Sequence, residues 1–169
     1  MRYKGGKRAM ETKGDVKVNE LMQREVVAFK PNDTIRQVVE TLKVKGISGA
    51  PVIDDQGKVI GVISEADIMN LTATIPFPDI DPLNPFPVFS LTSYVDRVKE
   101  IPDEIDRLFE GYVKDVMTRK PLTISPDASI SDAARIMHKK DFNRIPVVDE
   151  EGKLVGIIAR EDIISVFAR

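Results

Sequence analysis

The chain has 169 residues, with 25 basic against 27 acidic side chains and a net charge of −2. It is long enough to bury a core without disulfides or a structural metal, and too balanced in charge for a global field directing it to nucleic acid or an anionic membrane. Cysteine is absent, which excludes disulfide scaffolds, thiol nucleophiles and cysteine-ligated metal sites. No apolar run approaches the roughly 18 to 20 residues of a membrane span and no signal-peptide core opens the chain, so a cytoplasmic protein is expected.

Residues 1–15, "MRYKGGKRAMETKGD", are basic and Gly-containing and read as a tail, with nucleic-acid contact the lesser alternative. From residue 16 to 73 the pattern changes period. The run "VVAF" from Val26 reads as a strand stopped by Pro31. Asn32 or Asp33 offers a cap to a helix whose apolar positions Ile35, Val38, Val39 and Leu42 recur at helical spacing. "APVIDDQGKVIGVIS" then reads as two strands around a turn carrying Gly57, and a second helix begins near Glu65.

The linker, 74–110, interleaves Pro76, Pro78, Pro82, Pro85 and Pro87 with Phe77, Phe86 and Phe89. That many aromatics suit an ordered excursion covering the core, with a lid or dimer contact as the sharper alternative.

From 111 to 169 the first pattern returns. Pro31 recurs as Pro126, Pro51 as Pro146, Asp54 as Asp149, Gly57 as Gly152 and Asp67 as Asp162, a constant 95 residues on. No gap is needed from Val18 to Leu71. "LTI" from Leu122 reads as the strand, Asp127 or Ser129 as the cap, Ile130, Ala133, Ala134 and Met137 as the buried helical face, and "IPVVDEEGKLVGIIA" as the hairpin. Turn residues, apolar positions and acidic positions coincide, as internal duplication requires. The expected fold is α+β, two β-α-β-β-α repeats. Some fifty residues bury too little surface to be comfortable alone, so the copies are expected to pack as a pseudo-two-fold pair.

The quoted series, with "VNELMQREVVAFKPNDTI" and "VKDVMTRKPLTISPDASI" at the heads of the copies, resembles tandem CBS (cystathionine-beta-synthase) motifs, whose pairs form Bateman modules. The resemblance covers about two thirds of the chain. It implies adenosine-type ligands in clefts between the halves and frequent assembly into flat dimers. A homodimer is expected too because the outer helices, ending in "IMNLTATI" and "IISVFAR", carry more apolar residues than one chain can bury.

The candidate chemistry lies where each hairpin runs into its second helix, at "ISEAD" and "IARED". Free backbone N–H groups at such a helix start favour an anion, to which Ser64 could donate, and Asp67 one turn on suits the vicinal hydroxyls of a ribose. Spacing alone favours another reading, a capping box in which Asp takes the place of Glu. The second copy has Ala159 in place of the serine but keeps Asp162 beside Arg160, whose guanidinium could meet a phosphate.

The resemblance adds the pre-proline segments, Ser48, Gly49 and Ala50 in one copy and Asn143, Arg144 and Ile145 in the other, and the first-strand pairs Val27 and Ala28, and Leu122 and Thr123. It groups Ser64 and Asp67 with Leu122, Thr123, Asn143, Arg144 and Ile145, and Ala159, Arg160 and Asp162 with Val27, Ala28, Ser48 and Ala50. Relaxed helix ends and solvated charges are the plain alternative for these positions.

His138 is the only histidine and has no metal partner at ligand spacing, and no catalytic motif is present. The function expected is therefore not enzymatic and needs no cofactor. The chain is read as a regulatory protein whose ligand is AMP, ADP, ATP or S-adenosylmethionine, acting on a separate target protein. The alternative is a structural dimerisation module with empty clefts.

Overall fold

The structure, a computed structural model, describes residues 16–72 and 107–167. The basic tail over 1–15 and the Pro- and Phe-rich stretch of the linker lie outside the described residues. The elements run α1 (Val18–Leu21), α2 (Ile35–Lys45), β1 (Gly49–Ile53), β2 (Val59–Ser64), α3 (Glu65–Thr72), α4 (Val113–Val116), β3 (Thr118–Arg119), α5 (Ile130–Lys140), β4 (Arg144–Val148), β5 (Leu154–Ala159) and α6 (Arg160–Phe167). Helices and two separate sheets, ordered β1-β2-β3 and β4-β5, make this an α+β fold.

The stretch "VVAF" forms a single bridge instead of a strand. Phe29 pairs in parallel with Val52 and Ile124 with Val147. Phe29 N–H donates to the Pro51 carbonyl at 2.9 Å, and Ile53 N–H to the Phe29 carbonyl at 2.9 Å. The next rung of a parallel ladder would need a donor from residue 51 to the carbonyl of Val27, and proline has none. Pro146 stops the Ile124 bridge in the same way.

Helix α2 is capped by Thr34, not by the Asn32 or Asp33 expected. Thr34 Oγ1 accepts from Gln37 N–H at 3.3 Å, and Gln37 Oε1 accepts from Thr34 N–H at 2.8 Å. Asp33 is spent on the preceding turn, accepting from Lys30 N–H at 2.7 Å. Ser129, one of the two caps expected for α5, does cap it, accepting from Asp132 N–H at 3.1 Å. Both helices end on a left-handed residue, Gly46 (φ 62°) and Asp141 (φ 54°).

The described chain forms two compact units, and the boundary does not follow the repeats. One unit consists of Ala28–Ile53 and Ile60–Lys120, and the other of the residues up to Val27, the turn Asp54–Val59 and the chain from Pro121. In the first unit the buried side chains include Phe29, Ile35, Val38, Leu42, Val52, Ile63, Ile68 and Val113. Here α4 docks beside α2. Val113 N–H donates to the Asp33 carbonyl, Lys114 N–H to Pro31 and Ile35 N–H to the Gly111 carbonyl, each at 2.9 Å. β3 then pairs with β2, Gly61 facing Arg119 and Val62 facing Thr118.

The second unit repeats this with the residues 95 places away. Val18 N–H donates to Ala128 at 2.9 Å, Asn19 N–H to Pro126 at 3.0 Å and Ile130 N–H to Val16 at 2.9 Å. Val18 and Met22 enter a core with Ile124, Ile130, Met137, Ile145, Val147 and Ile158. The helix that opens each repeat is thus built into the core around the other repeat's long helix. In both units a glycine makes room for the methionine that ends the short helix. A Cβ on Gly61 would sit 2.5 Å from Met117 Sδ, and one on Gly156 2.6 Å from Met22 Sδ.

The turn Asp54–Val59 pairs with its counterpart in the second unit. Val59 N–H donates to the Gly152 carbonyl and Leu154 N–H to the Gly57 carbonyl, both at 3.0 Å. Each turn is held by its own aspartate: Asp54 Oδ1 accepts from Gln56 and Lys58 N–H, and Asp149 Oδ1 from Glu151 and Lys153 N–H.

Candidate functional site

Each hairpin's second strand runs directly into a helix, so the residue closing the strand also opens the helix. In the first unit that junction is Ser64 to Asp67. Ser64 N–H donates to Asp67 Oδ2 at 2.8 Å and Ser64 Oγ to the same oxygen at 2.6 Å, while Asp67 N–H returns toward Ser64 Oγ at 3.4 Å. This is a capping box, and the hydroxyl hydrogen that could have met a phosphate is spent on Asp67. The other carboxylate oxygen, Oδ1, accepts from Thr118 Oγ1 at 3.3 Å.

In the second unit Asp162 Oδ2 accepts from Ala159 N–H at 2.8 Å. The aspartate therefore does its capping with or without a hydroxyl at the strand end, which explains why Asp162 persists beside an alanine. Its Oδ1 takes no donor among the described residues. Arg160 reaches across to the turn between α5 and β4, its Nη2 3.1 Å from the Phe142 carbonyl and 3.5 Å from Asp141 Oδ1.

The pre-proline residues meet these junctions within their own units. Ser48 carbonyl accepts from Glu65 N–H at 2.9 Å, and Asn143 carbonyl from Arg160 N–H at 2.8 Å. Arg144 faces Ala159 across the β4–β5 pair, and Ile145 faces Ile158. At the position matching Arg144 stands Gly49, where a Cβ would lie 2.9 Å from the Ile63 carbonyl oxygen and 3.2 Å from Ser64 Cβ. The serine-to-alanine change thus goes with a reciprocal change across the strands: glycine faces the larger residue, arginine the smaller.

Ala50 and Ile145 are core residues, 2% and 0% exposed, and offer a ligand only their backbone. Val27 and Ala28, and Leu122 and Thr123, lie half-buried in the extended segments just before the Phe29 and Ile124 bridges.

Thr118 has no place in the sequence reading of this site. It lies 51 residues from Asp67 and is brought there by the pairing of β3 with β2. The only trace in the sequence is that it follows Met117, as Gln23 follows Met22.

Chemically, each junction presents a carboxylate in the first turn of an eight-residue helix, with a second acid nearby, Glu65 or Glu161. Those acids already occupy the positive end of the helix dipole, so a neutral donor pair such as a vicinal diol suits the junction better than a phosphate. Among the described residues no group of three or more His, Cys, Asp or Glu is gathered to hold a metal ion, and no helix is long and apolar enough to cross a membrane.

A duplicated α+β motif, each copy ending its hairpin on an acid-capped helix, defines the class of protein. The sequence model of the CBS domain matches residues 18–73 and 113–169, and the chain belongs to the CBS domain family. The Methanocaldococcus jannaschii protein MJ1426 is 35% identical over 151 residues, 88% of this chain and 89% of its own. The chloroplastic CBS domain-containing protein CBSX2 of Arabidopsis thaliana is 32% identical over 143 residues, 80% of this chain but only 56% of its own, so the chain spans about half of that relative. The crystal structure of CBSX2 in complex with AMP matches with a TM-score of 0.66 at 27% identity, covering 90% of this chain and 96% of that one. The CBS domain pair of MJ0100, solved with 5′-methylthioadenosine and S-adenosyl-L-methionine, matches with a TM-score of 0.62 at 20% identity, covering 90% and 96%; that likeness is one of fold.

Proposed function

We propose that the chain is a regulatory protein that binds an adenosyl ligand, AMP or another adenine nucleotide or S-adenosylmethionine, and passes the bound state to a separate target protein. The observation that carries this reading is the likeness to CBSX2, a structure containing AMP, over nearly the whole of both chains. The chemistry of the junctions supports it. Asp67 and Asp162 are carboxylates in the first turn of a helix, of the kind that takes ribose hydroxyls, and Asp162 keeps one oxygen without a donor among the described residues.

In this proposal Ser64 acts through Asp67 as its cap. Arg160 serves a phosphate only by leaving Asp141 and the Phe142 carbonyl. The pre-proline residues Ser48, Gly49, Asn143 and Arg144 and the half-buried Val27, Ala28, Leu122 and Thr123 complete the ligand contacts. Catalysis forms no part of it. A homodimer does, and it would cover Ile164 of α6, which is 57% exposed.

The test is a thermal-shift panel of AMP, ADP, ATP, S-adenosylmethionine and NAD. A ligand at 100 times its dissociation constant stabilises by about 2.7 kcal/mol, a shift that such a panel resolves. A rise with one or more adenosyl compounds is expected. A flat response across the panel overturns the reading and favours a structural dimerisation module.

A further inference from the structure

Asp67 and Asp162 are not equally available to a diol. A carboxylate has about four acceptor positions, two on each oxygen. At Asp67 both positions on Oδ2 are taken by Ser64, through its N–H and its hydroxyl, and one position on Oδ1 is taken by Thr118. One acceptor position remains among the described residues. At Asp162 a single position is taken, by Ala159 N–H, and three remain among the described residues. The difference on Oδ1 comes from the residue after the short helix's methionine, Thr118 in one unit and Gln23 in the other, both held by a bridge to the adjacent strand.

We propose that Thr118 is a competitor of the ligand at Asp67: its hydroxyl occupies the carboxylate oxygen that a vicinal diol needs, and binding at this junction requires its release. The inference rests on the adenosyl reading above. The contact is built to yield, since 3.3 Å is long beside the 2.6 and 2.8 Å bonds from Ser64, and the weakest donor leaves first. Release has a structural consequence, because Thr118 is half of the two-residue strand β3. A ligand on Asp67 therefore removes a side-chain bond that ties β3 to the start of α3, whereas a ligand on Asp162 meets no donor on that carboxylate other than the Ala159 amide among the described residues. The two junctions then differ in affinity through Thr118 and Gln23 as well as through Ser64 and Ala159.

The test is calorimetric titration of the full chain with AMP and with 2′-deoxy-AMP. An Asp162→Asn background isolates Asp67 and leaves Ala159 N–H an acceptor. In that background Thr118→Val, which removes the hydroxyl but keeps a strand-forming residue, is expected to tighten AMP binding about twofold to tenfold, the worth of one hydrogen bond. Thr118→Ser, which keeps the hydroxyl, is expected to leave it unchanged. The 2′-deoxy compound, with one hydroxyl for the one open position, is expected to be indifferent to Thr118→Val. AMP affinity unmoved or weakened by Thr118→Val overturns the inference and leaves the adenosyl reading standing. AMP binding by the wild type but not by the Asp162→Asn background does the same, since it removes Asp67 as a site. Absence of any adenosyl binding by the wild type overturns both.

Discussion

Ser64 gives Asp67 two hydrogen bonds on one oxygen, from its amide at 2.8 Å and its hydroxyl at 2.6 Å, and the alanine in the matching position gives Asp162 only the amide, at 2.8 Å. The amide bond is common to both junctions, and the hydroxyl is the addition. Ser64→Ala is therefore expected to cost about 0.5 to 1.5 kcal/mol, one hydrogen bond to a half-buried carboxylate. Asp67→Ala leaves the Ser64 amide and hydroxyl and the Thr118 hydroxyl without their acceptor, and is expected to cost more. Urea unfolding of the two variants checks the order; equal costs would mean that the carboxylate is no more than a partner for the hydroxyl.

Val18 and Val113 open the two repeats, and each is 0% exposed in the core around the other repeat's long helix. Val18→Ala is expected to cost on the order of 2 kcal/mol by cavity formation. The more telling readout is where protection is lost. Hydrogen exchange is expected to quicken first in β4 and β5, whose Ile145, Val147 and Ile158 share the core with Val18, and to leave β1 protected. Loss of protection in β1 alone would contradict the crossed arrangement.

Asp132, in the first turn of α5, accepts from the Ser129 hydroxyl at 2.8 Å and from Arg135 Nη1 at 2.8 Å. The Ser129 hydroxyl bond chiefly, opposed by desolvation and helped by Arg135, holds its carboxyl below the ordinary aspartate value. A group whose folded value is depressed stabilises the fold above the unfolded value and loses that contribution as pH falls through the folded value. Wild type is thus expected to exceed Asp132→Asn in stability at pH 7, with the gap closing in the acid range below the ordinary aspartate value. Stability curves of both proteins from pH 7 to pH 2 test this, and a gap independent of pH would contradict it.

The repeat, its hairpins and its helices are legible in the sequence because each is a local matter: apolar spacing, a glycine turn, a serine cap. Where local rules competed, the sequence reading went astray. Asn32 and Asp33 are good capping residues, yet Asp33 accepts from Lys30 N–H in the preceding turn and Thr34 caps instead. "VVAF" has strand composition, but the donor it needs on the neighbouring strand is missing at Pro51. The crossing of the short helices is not legible at all, because Val18 meets Ala128 and Val113 meets Asp33 through backbone groups that carry no side-chain signature. At the site, the S-x-x-D spacing foretold the bond between Ser64 and Asp67. Thr118 was out of reach for the same reason as the crossing.

The central claim, that the carboxylates of these two junctions serve an adenosyl ligand, is tested most directly by calorimetric titration of AMP into wild type and into a variant carrying both Asp67→Asn and Asp162→Asn. Asparagine leaves the Ser64 and Ala159 amides an acceptor, so the fold survives for comparison by circular dichroism, while the charge and the paired acceptors for a diol are gone. Removing both is expected to weaken binding at least tenfold, since hydrogen bonds to a charged group are worth about 1.5 to 3 kcal/mol. Undiminished AMP binding by the folded double variant, or no binding by wild type, would contradict the account.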